Sequence, residues 1–222
     1  MPCSRFSPLS APHPVSTTKN STNSSTPTFS TYSEIESQLT GFDACFFSLG
    51  VSSAGMDEAK YTHLTYDLTL SAATTLAKLN TQMTFLYVSG AGTDSTERGR
   101  SMWARIKGKT ENDILKLSFR AAYMFRPGFI QPLHGIRSKT RLYQTVYTLL
   151  NPILPLLKFI LPQYVTTTEQ VGRAMLQVAK HGYPRPILES KDIDLLQTTK
   201  RNSSSKPKSR RFYRWVIVTG PR

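Results

Sequence analysis

The central part of the chain alternates short apolar runs with longer stretches of amphipathic spacing. Three apolar runs, at residues 42–53, 83–92 and 121–130, each contain a glycine near their end. Continuous apolar runs of this length are typical of strands buried on both faces. Because helical stretches separate them, the pattern predicts an α/β fold, with a parallel sheet and helices on its faces.

The amphipathic stretches predict three helices. Residues 57–79 carry apolar side chains three or four positions apart and begin with two acids, which favour the positive end of a helix. Residues 101–117 predict a second helix. Residues 166–182 predict a third, which starts at a threonine N-cap and stops at Gly182.

The most apolar stretch of the chain, residues 142–164, contains three prolines and Lys158. No uncharged apolar run of about 18 residues survives these interruptions, so the sequence predicts no transmembrane helix. Either a broken helix that caps a pocket or packs on the core, or an interfacial membrane segment, fits this pattern.

Composition divides the chain into three parts. Residues 1–33 are rich in Ser, Thr and Pro and contain no acid, so we expect them to be disordered. They lack the apolar region of a secretory signal, although an organellar transit peptide has a similar composition. Residues 34–196 form the predicted domain, and residues 197–222 the predicted basic, flexible tail.

The net charge of +14 is concentrated towards the far end, since residues 200–222 hold eight of the 28 Lys and Arg residues and no acid. This segment is either a solvated end or a contact for nucleic acid or anionic lipid, aided by its aromatic residues. Within it, residues 216–220 (VIVTG) are either a chance β-branched run or a strand that pairs with the edge of the sheet.

Cysteine and histidine positions exclude two kinds of site. Cys3 and Cys45 cannot make a disulfide framework, which favours a reduced, cytoplasmic protein. His63, His134 and His181 lie far apart and have no Cys or His at ligand spacing, so no metal site is predicted.

Five segments, in this order, carry a resemblance to a known family: CFFSLGVSS, LYVSGAGTD, SMWARIKGKTE, AAYMFRPGFIQP and VTTTEQVGRAML. They resemble the atypical short-chain dehydrogenase/reductases, and in particular the NAD(P)-binding, nucleoside-diphosphate-sugar-epimerase-like proteins that include Tat-interacting-protein-type oxidoreductases. The resemblance covers roughly residues 34–194. It implies a Rossmann-like, doubly wound parallel sheet, an oxidoreductase or epimerase-like activity, NADP or NAD as cofactor and a small-molecule substrate.

The resemblance also implies a set of cofactor-contacting residues: Leu49, Gly50, Ser89, Trp103, Lys107, Pro127 and Gly128. Two of these have implied catalytic roles. Ser89 matches the serine that polarises a substrate carbonyl. Lys107 matches the lysine that binds the nicotinamide ribose and lowers the pKa of a tyrosine four residues earlier.

The residue four positions before Lys107 is Trp103 rather than tyrosine. Indole only donates a hydrogen bond and has no usable acidity, so it cannot replace a phenol in proton transfer. Trp103 either covers the nicotinamide or packs on its helix. Tyr66, Tyr87 and Tyr123 are the other phenols that could supply a proton.

The resemblance further implies an N-terminal truncation. Residues 1–33 contain neither the first strand nor the Gly-rich turn of a dinucleotide fold, and the residue that selects NAD or NADP is not identifiable. A sheet that lacks its first strands exposes apolar surface to partners or to aggregation. Three functions stay open: a NAD(P)-binding enzyme of weak catalytic power, a non-catalytic nucleotide-binding or scaffold protein, and a truncated gene product without activity of its own.

Overall fold

The computed structural model describes residues 35–131, 165–198 and 214–219. The predicted disordered start at 1–33, the apolar stretch at 142–164 and residues 199–213 and 220–222 of the predicted tail lie outside these ranges. Within them, no helix combines the length and the apolar character that crossing a bilayer requires.

Seven strands are present in the described ranges. In chain order they are β1 (Ala44–Ser48), β2 (Thr84–Val88), β3 (Ala121–Arg126), β4 (Phe129–Gln131), β5 (Val165–Thr167), β6 (Ile187–Glu189) and β7 (Trp215–Thr219). Five of them form one parallel sheet in the order β6-β3-β2-β1-β7. The register places Phe46 beside Leu86 on one side and Ile217 on the other. Strands β4 and β5 pair with each other in a small second sheet.

The helices of these ranges follow the predicted spans closely, except for the last one, which was not predicted. They are α1 (Glu58–Thr62), α2 (Leu68–Leu79), α3 (Met102–Ile114), α4 (Thr168–His181) and α5 (Ser190–Thr198), preceded by a 3-10 turn at Glu36–Leu39. A π-helical turn, His63–Asp67, joins α1 to α2, so the helix predicted at 57–79 is continuous but locally wider.

Local side-chain bonds start two of these helices. Asp57 caps α1 by accepting a hydrogen bond from the Lys60 amide at 2.8 Å. Thr167 and Gln170 form a reciprocal capping box at the start of α4, which ends at Gly182. Gly182 has φ of 72°, a left-handed value that favours glycine.

Apolar residues on both faces of the sheet explain why the strands read as continuous apolar runs. Cys45 and Phe47 face the layer formed by α2 and α3, whereas Ala44 and Phe46 face α4. All four are buried. Because successive side chains of a strand point to opposite faces, both layers of helices are needed to cover the sheet. The predicted α/β architecture, a partial Rossmann-like sheet with helices on both faces, is confirmed.

Strand β7 corrects the prediction of a flexible tail over residues 197–222. Residues 215–219 pair with all five residues of β1, so the described part of the VIVTG segment, residues 216–219, pairs with the sheet edge. The amide of Arg214 donates to a carboxylate oxygen of Asp43 at 2.8 Å, and the Asp43 amide donates to the Arg214 carbonyl at 2.8 Å. Helix α5 also extends to residue 198, past the predicted start of the tail.

Candidate functional site

The carboxyl ends of β1, β2 and β3 lie side by side because these strands are parallel neighbours in the sheet. Small residues follow β1 and β2, and Pro127 and Gly128 follow β3. Ligands of open α/β sheets bind outside the carboxyl ends of the strands. We refer to this region, with the part of α3 that packs against it, as the carboxyl edge.

A buried polar network ties α3 to the ends of two strands. Ser89, directly after β2, donates from its hydroxyl to Glu111 of α3 at 2.5 Å. Arg126, the last residue of β3, donates from Nε to both carboxylate oxygens of Glu111 at 3.1 Å and also donates from Nη2 to Oε2. Arg126 further reaches Ser95 at 2.5 Å and Glu189 at 3.2 Å. The centre of the network is inside the protein, since Glu111 and Arg126 are buried, whereas Ser95 is exposed and Glu189 is half-buried.

Lys107 lies on the same face of α3, one turn before Glu111, and is only 9% exposed. Its ammonium group lies over the ring of Tyr87, with Nζ 5.6 Å from the ring centre. Burial lowers the pKa of Lys107 to about 8, and the negative charge of Glu111 opposes that shift. A buried amine at the end of the sheet is thus close to its titration range at neutral pH.

Trp103 lies one turn before Lys107 on α3 and packs over the loop that follows β2. A Cβ atom on Gly92 would lie 3.5 Å from the end of the indole ring. Gly92 has φ of 86° and Gly90 has φ of 150°, so this loop uses backbone shapes that favour glycine. The loop therefore presents bare backbone beside a half-buried indole.

The other residues implied by the resemblance lie at the same edge. Leu49 is half-buried against the core layer under α2, and Gly50 after it is exposed. The Pro127 carbonyl accepts a hydrogen bond from the Ala91 amide at 2.8 Å, which joins the segment after β3 to the loop after β2. Gly128 follows, half-buried. The fold thus places the implied residues together at the carboxyl edge, although their roles stay predictions.

Two of the three alternative phenols, Tyr66 and Tyr87, have raised pKa values. Burial raises the pKa of Tyr87, whose side chain is fully enclosed. Burial and the Asp113 carboxylate, which accepts a hydrogen bond from the Tyr66 hydroxyl at 2.8 Å, raise the pKa of Tyr66 to about 12. The Tyr123 hydroxyl bonds the backbone of Tyr183 on the α4 side.

A shallow groove of about 180 Å³ lies elsewhere, between α1 and α3. A salt bridge of 2.9 Å between Arg105 and Glu58 runs along it, and Tyr66 and Lys109 line it. No residue implied by the resemblance lines this groove. In the described part of the chain, no cluster of His, Cys, Asp and Glu side chains has the geometry of a metal site.

Glu111 and Arg126 were missed by the sequence reasoning. The available signal for Glu111 was a charged residue on the face of α3 that also carries Ala104 and Ile114, both buried. For Arg126 it was a charge at the end of a buried strand. A charged residue at a core position of the apolar pattern is buried only when it has a partner of opposite charge. The presence of either residue therefore indicated that a partner such as the other was needed.

Comparison with known proteins gives limited similarity. No protein-family model matches the chain. Over 109 residues the chain is 33% identical to "Protein FMP52-2, mitochondrial" of Scheffersomyces stipitis, an alignment that covers 48% of this chain and 44% of that protein. The chain thus spans less than half the length of this curated relative. Among solved structures it is similar to the MalC reductase/Diels-Alderase from Malbranchea aurantiaca, with a TM-score of 0.48 and 14% identity, over 73% of this chain and 70% of that one. Neither similarity assigns a reaction to this chain.

Proposed function

We propose that this chain is a short-chain-dehydrogenase-like protein that binds NADP or NAD at the carboxyl edge and has little catalytic power of its own. The observation that carries the proposal is the position of Lys107, a buried amine over the Tyr87 ring of β2, next in sequence to Gly108, which packs on the loop after β2. An amine in this position can bind ribose hydroxyls, and loop residues 89–92 leave room for a flat ring to approach the backbone.

The described residues fit one end of a dinucleotide better than the other. Lys107, Trp103 and the glycines of the loop suit a ribose and an aromatic base. The pyrophosphate has a poorer partner, because helix α1, which follows β1, begins with Asp57 and Glu58 at its positive end. Carboxylates there repel phosphate and occupy the position in which a helix terminus binds anions. We therefore propose that affinity resides mainly in the nicotinamide riboside half.

Weak catalysis follows from the side chains around Lys107. A reductase needs a group that gives or takes a proton while hydride moves, and the bound dinucleotide would supply the hydride. Trp103 cannot exchange a proton, and Tyr66 and Tyr87 have raised pKa values. An oxidoreductase or epimerase-like activity on a small molecule would therefore be slow.

The test is a fluorescence titration of the full chain with NADPH and with NADH. The chain holds two tryptophans, so Trp103→Phe and Trp215→Phe separate their signals. We expect saturable quenching that persists in Trp215→Phe and disappears in Trp103→Phe. Lys107→Met should weaken binding about tenfold or more, because a charged hydrogen-bond donor is lost. Lys78→Met, at an exposed position of α2, is the matched control and should bind as the wild type does.

A folded, monomeric wild type that shows no saturable change with either nucleotide would refute the proposal. The non-catalytic scaffold function would then be the better supported of the two functions. It is favoured by the exposed apolar residues of β7, since Trp215 is 41% and Ile217 is 69% exposed.

We also propose an organellar location as the alternative to the cytoplasm. Its support is the Ser-rich, acid-poor composition of residues 1–33 and the word mitochondrial in the name of the relative. A reporter fused to residues 1–33 should be imported by isolated mitochondria, and a reporter left outside them would contradict the proposal.

A further inference from the structure

The hydroxyl group of Ser89 has two hydrogen-bond acceptors as neighbours. One is the Glu111 carboxylate, 2.5 Å from the hydroxyl oxygen, and the other is the Phe125 carbonyl, 3.2 Å away. A hydroxyl has one hydrogen and two lone pairs. Its single hydrogen is therefore committed to the protein, whichever of the two neighbours receives it.

Arg126 fixes the polarity of this arrangement. Guanidinium groups only donate, and Arg126 donates to both oxygens of Glu111. Glu111 therefore accepts from Arg126 at both oxygens, and one of these oxygens also accepts from the Ser89 hydroxyl. Arg126 also donates to Ser95 and Glu189. The direction in which each hydrogen bond of the network is donated therefore depends on all five of its side chains.

Ser89 is a half-buried residue directly after β2, and the hydrogen-bonding capacity left on its hydroxyl oxygen is that of an acceptor. We infer that Ser89 is an acceptor subsite, which recognises an N–H or O–H group of a ligand and does not polarise a carbonyl. The identity of the ligand group rests on the proposed function. That Ser89 acts as an acceptor follows from its own hydrogen bonds and does not depend on that function. It differs from the role that the family resemblance implies, in which the serine donates.

Lys107 strengthens this assignment because it lies one turn from Glu111 on the same face of α3. In the proposed nucleotide site Lys107 supplies a donor and Ser89 an acceptor, so a ligand group that met both would have to accept from one and donate to the other. A ribose hydroxyl or a primary carboxamide satisfies both, since each can accept and donate. A ketone or aldehyde oxygen would satisfy Lys107 alone and would face a lone pair at Ser89.

The polarity can be tested without any nucleotide. Infrared difference spectra between the wild type and Ser89→Ala should show a shifted band of an ionised carboxylate, because Glu111 loses one hydrogen bond. Ser118→Ala, an exposed serine before β3, is the control and should leave this region unchanged. An unshifted carboxylate band, or a protonated carboxyl band that changes on the substitution, would overturn the inference.

The ligand group is tested by comparing NADP with two analogues. One replaces the carboxamide nitrogen by a methyl group, and the other lacks the hydroxyls of the nicotinamide ribose. Ser89→Ala should weaken NADP binding roughly three- to tenfold, whereas Ser89→Thr, which keeps the hydroxyl, should not. For the analogue that lacks the recognised N–H or O–H group, Ser89→Ala and the wild type should bind with equal affinity.

A penalty that persists in full for both analogues, or no penalty for NADP, would contradict an acceptor subsite for a ligand donor. A wild type that binds no dinucleotide would refute the proposed function, and the infrared result would still decide the polarity of Ser89.

Discussion

Arg126 and Glu111 form a buried ion pair that joins the end of β3 to the last turns of α3, with Nε 3.1 Å from each carboxylate oxygen. Removing one partner leaves the other as an uncompensated buried charge, which is far more costly than losing a surface pair. The pair therefore fixes α3, and with it Lys107 and Trp103, against the carboxyl edge.

Glu111→Gln should lower the free energy of unfolding by about 3 kcal/mol, measured by urea denaturation. Glu169→Gln is the matched control, because Glu169 and Arg173 form an exposed pair on α4. That substitution should cost roughly 0.5 kcal/mol or less. Equal effects of the two changes would show that the Glu111 pair does not stabilise the fold.

Gly108 lies where α3 crosses the loop after β2. A Cβ atom at this position would come 1.8 Å from the backbone oxygen of Asp94, so one of the two segments would have to move. Gly108→Ala should lower stability by about 3 kcal/mol. Gly172→Ala, on the exposed side of α4 where no atom lies within 4 Å, should raise it by about 0.5–1 kcal/mol. Thermal or urea unfolding measures both effects. An alanine at position 108 that leaves stability unchanged would show that α3 and the loop after β2 are not in close contact there.

The pH dependence of stability should report the burial of Lys107. Burial lowers its pKa to about 8 from an ordinary value of 10.5. Between these values the unfolded chain binds a proton that the folded chain has released, so the free energy of unfolding rises with pH across this window. Below pH 8 the buried charge costs stability.

Lys107→Met removes this titration, so the variant should show a smaller rise between pH 8 and 10 than the wild type in urea denaturation. It should also be more stable near pH 7, by about 1–3 kcal/mol. Lys78→Met, on the surface, should keep the wild-type slope. Parallel curves for the wild type and Lys107→Met would mean that Lys107 is solvated in the folded protein.

Val216 and Ile217 are neighbours in β7 with opposite surroundings. Val216 pairs with Cys45 and packs against the core layer under α2, whereas Ile217 is 69% exposed. Val216→Asp should cost about 2 kcal/mol, because a carboxylate is pushed against apolar side chains, and Ile217→Asp should cost roughly 0.5 kcal/mol or less.

Thiol labelling reads out the same comparison. Cys45 has no exposed surface, and burial raises the pKa of its thiol, so it should react slowly in a Cys3→Ser background. Labelling should accelerate in Val216→Asp and stay slow in Ile217→Asp. Equal labelling rates in the two variants would show that β7 does not protect Cys45.

Local patterns were sufficient to predict β1, β2, β3 and the capped ends of the long helices, because each depends on side chains a few residues apart. The π-helical turn at His63–Asp67 was not predicted, since it leaves the apolar spacing almost unchanged. Strand β6 was missed because three strand residues give too short a pattern, and the nine-residue helix α5 that follows it was not predicted either.

The polar part of the site was less predictable. Ser89, Trp103 and Lys107 were named only through a resemblance. The partners that decide what Ser89 can do, Glu111 and Arg126, come from elements that meet only in the folded sheet. Hydrogen-bond direction depends on all neighbours at once, and no spacing rule within one segment encodes it.

Strand β7 has a consequence for the order in which the protein is made. Asp43 and Arg214, which hold the two strands together at their start, are 171 residues apart in the chain. A ribosome must therefore synthesise nearly all the described residues before β1 can acquire this neighbour, and closing so long a loop is slow. During translation the open side of β1 has the backbone groups that recruit other nascent strands, so we expect the young chain to depend on chaperones more than the finished one.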